Sequence, residues 1–243
     1  MKIPKKHPRS KSLIERHKIE EGMKMGIVTP TGMVAQGRGE AFDYLLGERT
    51  VAPARGAISA AAALFLLSDF PVISVNGNTT VLCGKEIVAL SKALSCPIEV
   101  NLFYRSRKRE KLIEKEFRKL GVKILGVDAR KKLKGLESKR AMVDSKGIWK
   151  SDAVLVMLED GDRTEALRRN GKKVVAIDLN PLSRTAKKAN ISIVDNCTRA
   201  VSLLTKEIRK LKKKKNPELR RIIKGFNNNR NLKQCVNLIR KGI

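Results

Sequence analysis

From residue 71 onward, short runs of aliphatic residues alternate with amphipathic helical patterns, and this alternation limits the possible folds more than any other feature. The runs that predict strands are 71–76, 97–104, 122–128, 152–158, 172–178 and 191–195. Most of them are continuously apolar, as strands buried on both faces of a parallel sheet must be. The helical patterns between them supply the crossovers that parallel neighbours need. We therefore predict an α/β fold that is Rossmann-like and doubly wound, with a mostly parallel sheet.

Helical patterns flank this alternating region on both sides. We predict a helical N-terminal segment over 1–69 that contributes to the active site, an α/β core over 70–214 and a C-terminal helical tail over 215–243. The three parts are expected to form one compact domain. The apolar stretch 57–67 is too short to span a bilayer, so it predicts a buried helix and no membrane association.

The chain has a formal net charge of +29, from 53 Lys and Arg against 24 Asp and Glu. A charge of this size suits either a nucleic-acid surface or the attraction of an anionic substrate. The basic residues are spread along the chain, and the 4% aromatic content leaves few surfaces on which bases could stack. We do not expect nucleic-acid binding as the main function. The lysine-rich stretch 206–224 is more typical of a solvated helix face, although it keeps that alternative open.

The cysteines and histidines form no pattern that is typical of a metal site or a disulfide framework. Cys83, Cys96, Cys197 and Cys235 include no CxxC pair, and both histidines lie within the first 17 residues. Free cysteines in this number are typical of a reducing compartment, and the start of the chain has no apolar core of a signal peptide. We therefore expect a cytoplasmic protein.

Polar side chains follow the predicted strands at their carboxyl ends, where open parallel sheets bind ligands. They include Asn76 and Asn78, residues 101–105, Asp128, residues 159–165, residues 178–180 and residues 195–196. For any single loop helix capping is the simpler explanation, and Asp162 with Glu165 fits a capping box. Six such loops at one edge of a sheet predict a polar ligand site.

The sequence lacks a complete phosphate-binding fingerprint. Residues 77–86 place six residues between Gly77 and Gly84, where a P-loop has four, and residues 37–42 lack the third glycine of a dinucleotide loop. Arginines and helix N-termini remain available for anions. Arg184 and Thr185 open a predicted short helix, while Arg38, in a predicted glycine-flanked loop, fits an anion contact and a surface ion pair equally well.

Several long motifs together resemble the archaeal phosphopantothenate synthetases, also called 4-phosphopantoate–β-alanine ligases. The motifs are GRGEAFDYLLGE (37–48), PVISVNGN (71–78), IEVNLFYR (98–105), LEDGDRTEAL (158–167), AIDLNPLSRTA (176–186) and IVDN (193–196). The resemblance extends over nearly the whole chain, from residues 7–9 to the C-terminal helices. The connection 128–150 and the stretch 205–224 match only loosely.

The resemblance implies a homodimeric enzyme of coenzyme A biosynthesis. Such an enzyme joins the carboxylate of 4-phosphopantoate to the amine of β-alanine and splits ATP into AMP and diphosphate, and we expect Mg²⁺ to take part. The positions that contact ATP in the family match Arg16, Arg38, Asp178, Leu179, Asn180, Arg184, Thr185, Asn196 and Cys197. Cys197 is expected to contribute only its main chain.

The second substrate is expected beside the ends of the first two strands. The candidate residues for binding it are Asn76, Asn78, Asn101, Tyr104, Arg105 and Arg163, and the candidate catalytic residues are Arg38, Arg184, Asn101, Arg105 and Asp160. Asp160 or Asp162 is a candidate for holding magnesium or the β-alanine ammonium group. The metal ligands and the general base stay open. The remaining alternatives are a small-acid kinase, a non-catalytic adenylate-sensing module and the nucleic-acid-binding protein.

Overall fold

The computed structural model describes Pro4, Lys6, His7 and residues 9–242. The helices are α1 (Ser10–Lys24), α2 (Pro30–Leu45), α3 (Ala52–Leu66), α4 (Gly77–Leu94), α5 (Arg107–Lys119), α6 (Gly161–Arg169), α7 (Arg184–Lys188), α8 (Cys197–Leu211), α9 (Asn216–Gly225) and α10 (Asn228–Lys241). The strands are β1 (Pro71–Val75), β2 (Ile98–Val100), β3 (Lys131–Lys132), β4 (Met142–Val143), β5 (Ala153–Met157), β6 (Lys173–Ile177) and β7 (Ile191–Ile193). Residues 1–3, 5, 8 and 243 of the predicted N-terminal segment and tail lie outside the described residues.

The main sheet has the strand order β2-β1-β5-β6-β7, and all its neighbouring strands pair in parallel. This confirms the predicted α/β fold. The direction of strand addition reverses between β1 and β5, and such a switch point is where open α/β sheets form a ligand crevice. Asn76 lies at this point. Its Nδ2 donates to the carbonyl oxygens of Met157 and Leu158 at 2.9 and 3.2 Å, so one side chain joins the ends of both strands.

Alternate residues of the strands face two different hydrophobic layers, as the period of two requires. Ile73, Leu155 and Val175 belong to the large cluster that includes side chains of α3, α4 and α8. Val72, Val154, Val156, Val174 and Ala176 belong to the other layer, with Leu167 of α6. Three residues of the connection between α5 and β5 complete that second layer: Leu133, Val143 and Ile148. The connection between α5 and β5 therefore helps to cover one face of the sheet.

The predicted strand 122–128 is wrong in its extent. Only Leu125 pairs with β2, through a single parallel bridge to Glu99. The Leu125 N–H donates to Ile98, and its carbonyl accepts from Val100. Gly126 then turns the chain away with φ of +96°, a conformation that favours glycine, so the pairing cannot continue.

Helices lie before and after the sheet, as predicted. The alanine-rich stretch forms most of α3, and its buried positions include Ala57, Ala60 and Ala61. Small side chains allow close approach, and these alanines belong to the same hydrophobic cluster as residues of α8 and α9. No helix within the described part of the chain is long and apolar enough to cross a membrane.

Glu99 of β2 is completely buried and attaches the connection to the sheet. Its Oε1 accepts from the N–H of Asp144 at 2.9 Å, and its Oε2 accepts from the N–H of Ile148 at 2.6 Å. Burial disfavours the charged form and raises the pKa of Glu99 to about 7, although the two N–H donors and Arg163 act in the opposite direction.

This pKa predicts a pH dependence of stability that Glu99→Gln abolishes. The folded-state pKa of Glu99 lies above the unfolded value of 4.5. The contribution of protonated Glu99 to the free energy of unfolding is therefore fully present below about pH 4.5 and is lost as pH rises through about 7. Relative to Glu99→Gln, the wild-type free energy of unfolding should fall by on the order of 2–3 kcal/mol between pH 5 and 8. Denaturant unfolding at four pH values measures it. Glu137→Gln, at an exposed carboxylate of the same connection, should leave the wild-type slope unchanged; equal slopes in all three proteins would contradict the assignment.

Candidate functional site

A cavity of about 550 Å³ opens at the carboxyl ends of β5 and β6 and is closed on one side by α2. It is lined by residues of two loops, 158–161 and 178–185, and by residues 35–42 of α2. Seven of the residues predicted from sequence line it together: Arg38, Asp160, Asp178, Leu179, Asn180, Arg184 and Thr185. Three segments far apart in sequence therefore meet at the carboxyl edge of the sheet, next to the switch point between β1 and β5.

The loop 178–185 is shaped by its own polar side chains. The Asp178 carboxylate accepts from the N–H of Asn180 at 2.9 Å and from the hydroxyl of Ser183. Burial raises the pKa of Asp178. Ser183 in turn accepts from the N–H of Ala186 and caps α7. Because α7 is only five residues long and already capped, its N-terminus offers less to an anion than the sequence suggested.

Arg184 lies at the mouth of the cavity with its guanidinium exposed. Its Nη2 donates to Glu165 Oε2 at 2.7 Å, and Lys188 contacts the same carboxylate. These two partners, Arg184 first, lower the pKa of Glu165 to about 2. The stem of Arg184 crosses Gly161, where an added Cβ would lie 2.4 Å from the arginine Cγ. The absence of a side chain at Gly161 therefore allows the aliphatic part of Arg184 to pack directly on the backbone there.

Arg38 lies on the opposite wall, and the prediction that it belongs to a loop is wrong. The segment is part of α2, and both flanking glycines have helical neighbours. Gly39 leaves space for Leu179, whose Cδ1 lies 3.5 Å from the position a Cβ would take. Arg38 is exposed, and its charge lies near enough to Asp160 to oppose part of the increase that burial causes in the pKa of that carboxyl.

Asp160 is the N-cap residue of α6 but makes no capping hydrogen bond; its Oδ2 accepts from Arg140 Nη1 at 2.7 Å. Asp162 accepts from Arg140 Nη2, also at 2.7 Å. The predicted capping box of Asp162 and Glu165 is therefore wrong, since both carboxylates bind basic side chains. Burial, followed by the neighbouring Glu159 charge, raises the pKa of Asp160.

Arg140 was missed by the sequence reasoning. It lies in a single 3₁₀ turn, Lys139–Ala141, which begins after Ser138. The residue is 5% exposed, and its guanidinium carbon lies 4.3 Å from the centre of the Phe103 ring. Asn101 Nδ2 donates to the carbonyl oxygens of Arg140 and Met142 at 3.0 and 3.2 Å. In the sequence, this arginine is one of many basic residues of the connection, and only the long-range contacts distinguish it.

Two predicted substrate-binding arginines are already bonded, and of these Arg163 is buried and Arg105 is partly buried. Arg105 donates to the carbonyl oxygens of Met142 and Gly126 and pairs with Glu110 at 2.5 Å. Arg163 is fully buried, pairs with Glu159, and leaves Nε and Nη2 without a hydrogen-bond partner. Neither lines the cavity.

The remaining candidates for the second substrate also lie outside the cavity. Asn76 joins β1 to β5, and Asn78 is buried with Nδ2 donating to the Gly32 carbonyl at 2.8 Å. Tyr104 is exposed, with its ring against Phe103. A substrate contact by any of these residues stays a prediction.

A second group of candidates lies where α1, α2 and α8 meet. Arg16 Nε donates to both carboxylate oxygens of Glu40 at 3.0 Å. Asn196, the N-cap of α8, donates from Nδ2 to Glu15 at 2.9 Å and to Asp43 at 3.1 Å. Cys197 next to it is buried in the core, as are the three other free thiols. These residues do not line the cavity, but Arg16 and Asn196 bind Glu40 and Asp43, which lie on the same helix, α2, as Arg38.

A family model described as phosphopantothenate/pantothenate synthetase matches residues 53–242. The chain belongs to this family. The match includes both loops of the cavity, and the α2 wall lies just outside it.

Close relatives extend the similarity to the N-terminal helices. A 4-phosphopantoate–β-alanine ligase of Thermococcus kodakarensis is 51% identical over 98% of this chain and 92% of its own length. The protein of the same name from Methanosarcina mazei is 47% identical over 98% of this chain and 94% of its own. A third, from Methanospirillum hungatei, is 48% identical over 82% of each chain.

The contact between Gly161 and Arg184 predicts that Gly161→Ala disturbs the cavity. The new methyl group overlaps the arginine stem, so α7 or Arg184 must move, at a cost of about 1–3 kcal/mol in the free energy of unfolding. Gly37→Ala is the matched control, since a Cβ there meets nothing within 4 Å and a helical alanine is favourable. Denaturant unfolding of both variants measures the difference; equal stabilities would contradict the steric argument.

Proposed function

We propose that this chain is an ATP-dependent 4-phosphopantoate–β-alanine ligase. It forms 4′-phosphopantothenate with release of AMP and diphosphate, through an acyl-adenylate. The observation that carries the proposal is identity of about half over nearly the full length of relatives that bear this name. A cavity with two arginines opposite a strand-tip aspartate is consistent with it.

The chemistry requires activation of a poor electrophile. A carboxylate oxygen attacks the α-phosphorus of ATP and diphosphate leaves, which gives a mixed anhydride. The amine of β-alanine, after loss of a proton, attacks the carbonyl carbon, and AMP leaves with the bonding electron pair. The protein must hold two anions together and stabilise charge on phosphorus and on the departing diphosphate. Positioning alone can lower such a barrier by roughly 7–11 kcal/mol.

Arg38 and Arg184 are the proposed phosphate ligands. Both line the cavity from opposite sides, and both guanidinium groups are exposed to it. Arg184 already pairs with Glu165, but an ion pair exposed to solvent contributes little to stability, so a phosphate can replace that partner. Asp178, Leu179 and Asn180 then contact the nucleoside. Arg16, Asn196 and Cys197 extend the nucleotide site along α2.

The organic substrates, 4-phosphopantoate and β-alanine, are proposed to enter beside Asp160. Arg140 holds one carboxylate oxygen of Asp160, and the half-exposed side chain leaves the other oxygen open to the cavity. A carboxylate in that position suits the ammonium group of β-alanine. Arg140 is in this view a positioning residue, and Asn101 and Arg105 act through it by binding its main-chain segment.

Magnesium is proposed to accompany the nucleotide. Among the described residues no cluster of three or more His, Cys, Asp or Glu side chains is arranged to hold a metal ion by itself. Mg²⁺ commonly uses one or two carboxylates together with substrate phosphates, so we propose that the phosphates of the nucleotide are its main ligands. A homodimer is likewise part of the proposal, on the basis of the family resemblance.

The nucleotide product decides between the ligase and its alternatives. Purified protein with ATP, Mg²⁺, 4-phosphopantoate and β-alanine should form AMP and diphosphate only when both organic substrates are present. Chromatography of the nucleotides and a diphosphate assay measure this. ADP would indicate a kinase, and the absence of turnover would reject the ligase.

Arg38→Ala and Arg184→Ala should each raise the KM for ATP, or lower kcat/KM, by about 10- to 100-fold, the loss typical of one charge-assisted hydrogen bond. Arg169→Ala is the matched control, because Arg169 pairs with the same Glu165 but lies outside the cavity. Steady-state kinetics with varied ATP, and circular dichroism as a test of folding, separate the effects. Unchanged kinetics in both cavity variants would reject the phosphate-ligand assignment.

A further inference from the structure

A second cavity, of about 970 Å³, lies between the first turn of α3 and the α9–α10 hairpin. It shares no residue with the cavity described above. Four cationic side chains line it, and none of its lining residues is Asp or Glu. The cations are Arg49, Arg55, Arg230 and Lys241. A concave surface with only positive charges attracts anions with more than one charge.

The N-terminus of α3 opens into the same cavity. The helix has 15 residues, its N-cap residue Val51 makes no side-chain capping bond, and its first turn contains no acidic residue. Val51, Ala52 and Pro53 all line the cavity. The partial positive charge of this helix end is therefore not satisfied by the protein's own side chains, and it adds to the attraction of an anion.

Asn231 provides an independent indication of a ligand. It lines the cavity, is 4% exposed, and donates from Nδ2 to the Ser192 carbonyl at 2.8 Å. That bond fixes the orientation of the amide, and its Oδ1 is buried without a hydrogen-bond partner. Buried acceptors are rarely left unpaired, so Oδ1 calls for an N–H or O–H donor.

Phe226 contributes the remaining feature. It lines the cavity, is half-buried, and packs against the core with part of its surface. Aromatic rings bind nucleobases by stacking without selecting among them. The cavity is large enough for a ligand of nucleotide size. It is surrounded by cations, a helix N-terminus, the Asn231 amide group and an aromatic ring.

We propose that this cavity is a second nucleotide site, separate from the catalytic one. The phosphates of a nucleoside di- or triphosphate bind Arg49, Arg55 and Arg230 at the start of α3. The base lies against Phe226, and a small displacement of the atoms that cover Asn231 Oδ1 lets an amine or hydroxyl group of the nucleoside donate to that oxygen.

Calorimetric titration with ADP at fixed moderate salt tests the proposal without reference to turnover. Wild-type protein should bind two ADP per chain. Arg49→Ala/Arg230→Ala should lose one of them or bind it at least about tenfold more weakly. Both side chains are exposed, so the fold should be retained, with thermal unfolding as the test.

The control variant is Lys233→Ala/Arg240→Ala, which removes two positive charges from exposed positions of α10 that do not line the cavity. It should bind two ADP per chain. An equal loss in both double variants would overturn the proposal. So would one ADP per chain in wild type that Arg49→Ala/Arg230→Ala still binds, whereas its loss in that variant would contradict ADP binding at the catalytic cavity instead.

The ligand class and the location are tested separately. Inorganic diphosphate should bind this site more weakly than ADP, since it has no base that can stack on Phe226. An 8-azidoadenosine diphosphate probe should label a peptide that contains residues 226–231, and the cavity variant should lose that label. Equal affinity for diphosphate would contradict the nucleotide assignment, and labelling confined to residues 158–185 would overturn the second site.

Discussion

Carbonyl oxygens at the end of β5 are held by side chains from its neighbours, and the shape of the catalytic site depends on these bonds. Asn76 donates to the carbonyls of Met157 and Leu158, and the hydroxyl of Thr185 donates to that of Glu159 at 2.6 Å. Leu158 is held at φ of +49°, which costs roughly 1–2 kcal/mol for a residue with a Cβ. The bonds outweigh that cost, and they direct Asp160 into the cavity.

The state of each arginine before ligand binding separates ligand-binding residues from structural ones. Arg184 pairs with Glu165 in solvent, where exchange of one anion for another changes the free energy little. Arg163 pairs with Glu159 at a fully buried position, where loss of a partner costs about 3–5 kcal/mol. Arg199 is half-buried and pairs with the buried carboxylates of Asp43 and Asp195. A substrate can therefore bind only an arginine whose existing ion pair is exposed to solvent. The net charge of +29 therefore says little about the site, because burial decides which cations are available.

The sequence was sufficient where short-range rules decide the structure. Continuous aliphatic runs identified the strands of the main sheet, and the topology of parallel sheets placed Asp178 and Asp160 at one edge before any contact was known. It was insufficient where long-range partners decide. Residues 122–128 have strand-like composition but are turned away at Gly126, and Asp162 fits a capping box but binds Arg140. Arg140 itself carries no local signal, since its role depends on Asn101 and Phe103, almost forty residues away in the chain.

The connection between α5 and β5 links stability to the site. Leu133, Val143 and Ile148 bury one face of the sheet, while Arg140 in the same segment reaches Asp160. The segment forms little regular secondary structure, so its position rests on a few buried polar anchors, namely Glu99, Asn101 and Arg105. Regions with few ladder hydrogen bonds open locally at lower free energy than the core. Loss of one anchor therefore releases Arg140, and with it the orientation of Asp160, before the sheet itself unfolds.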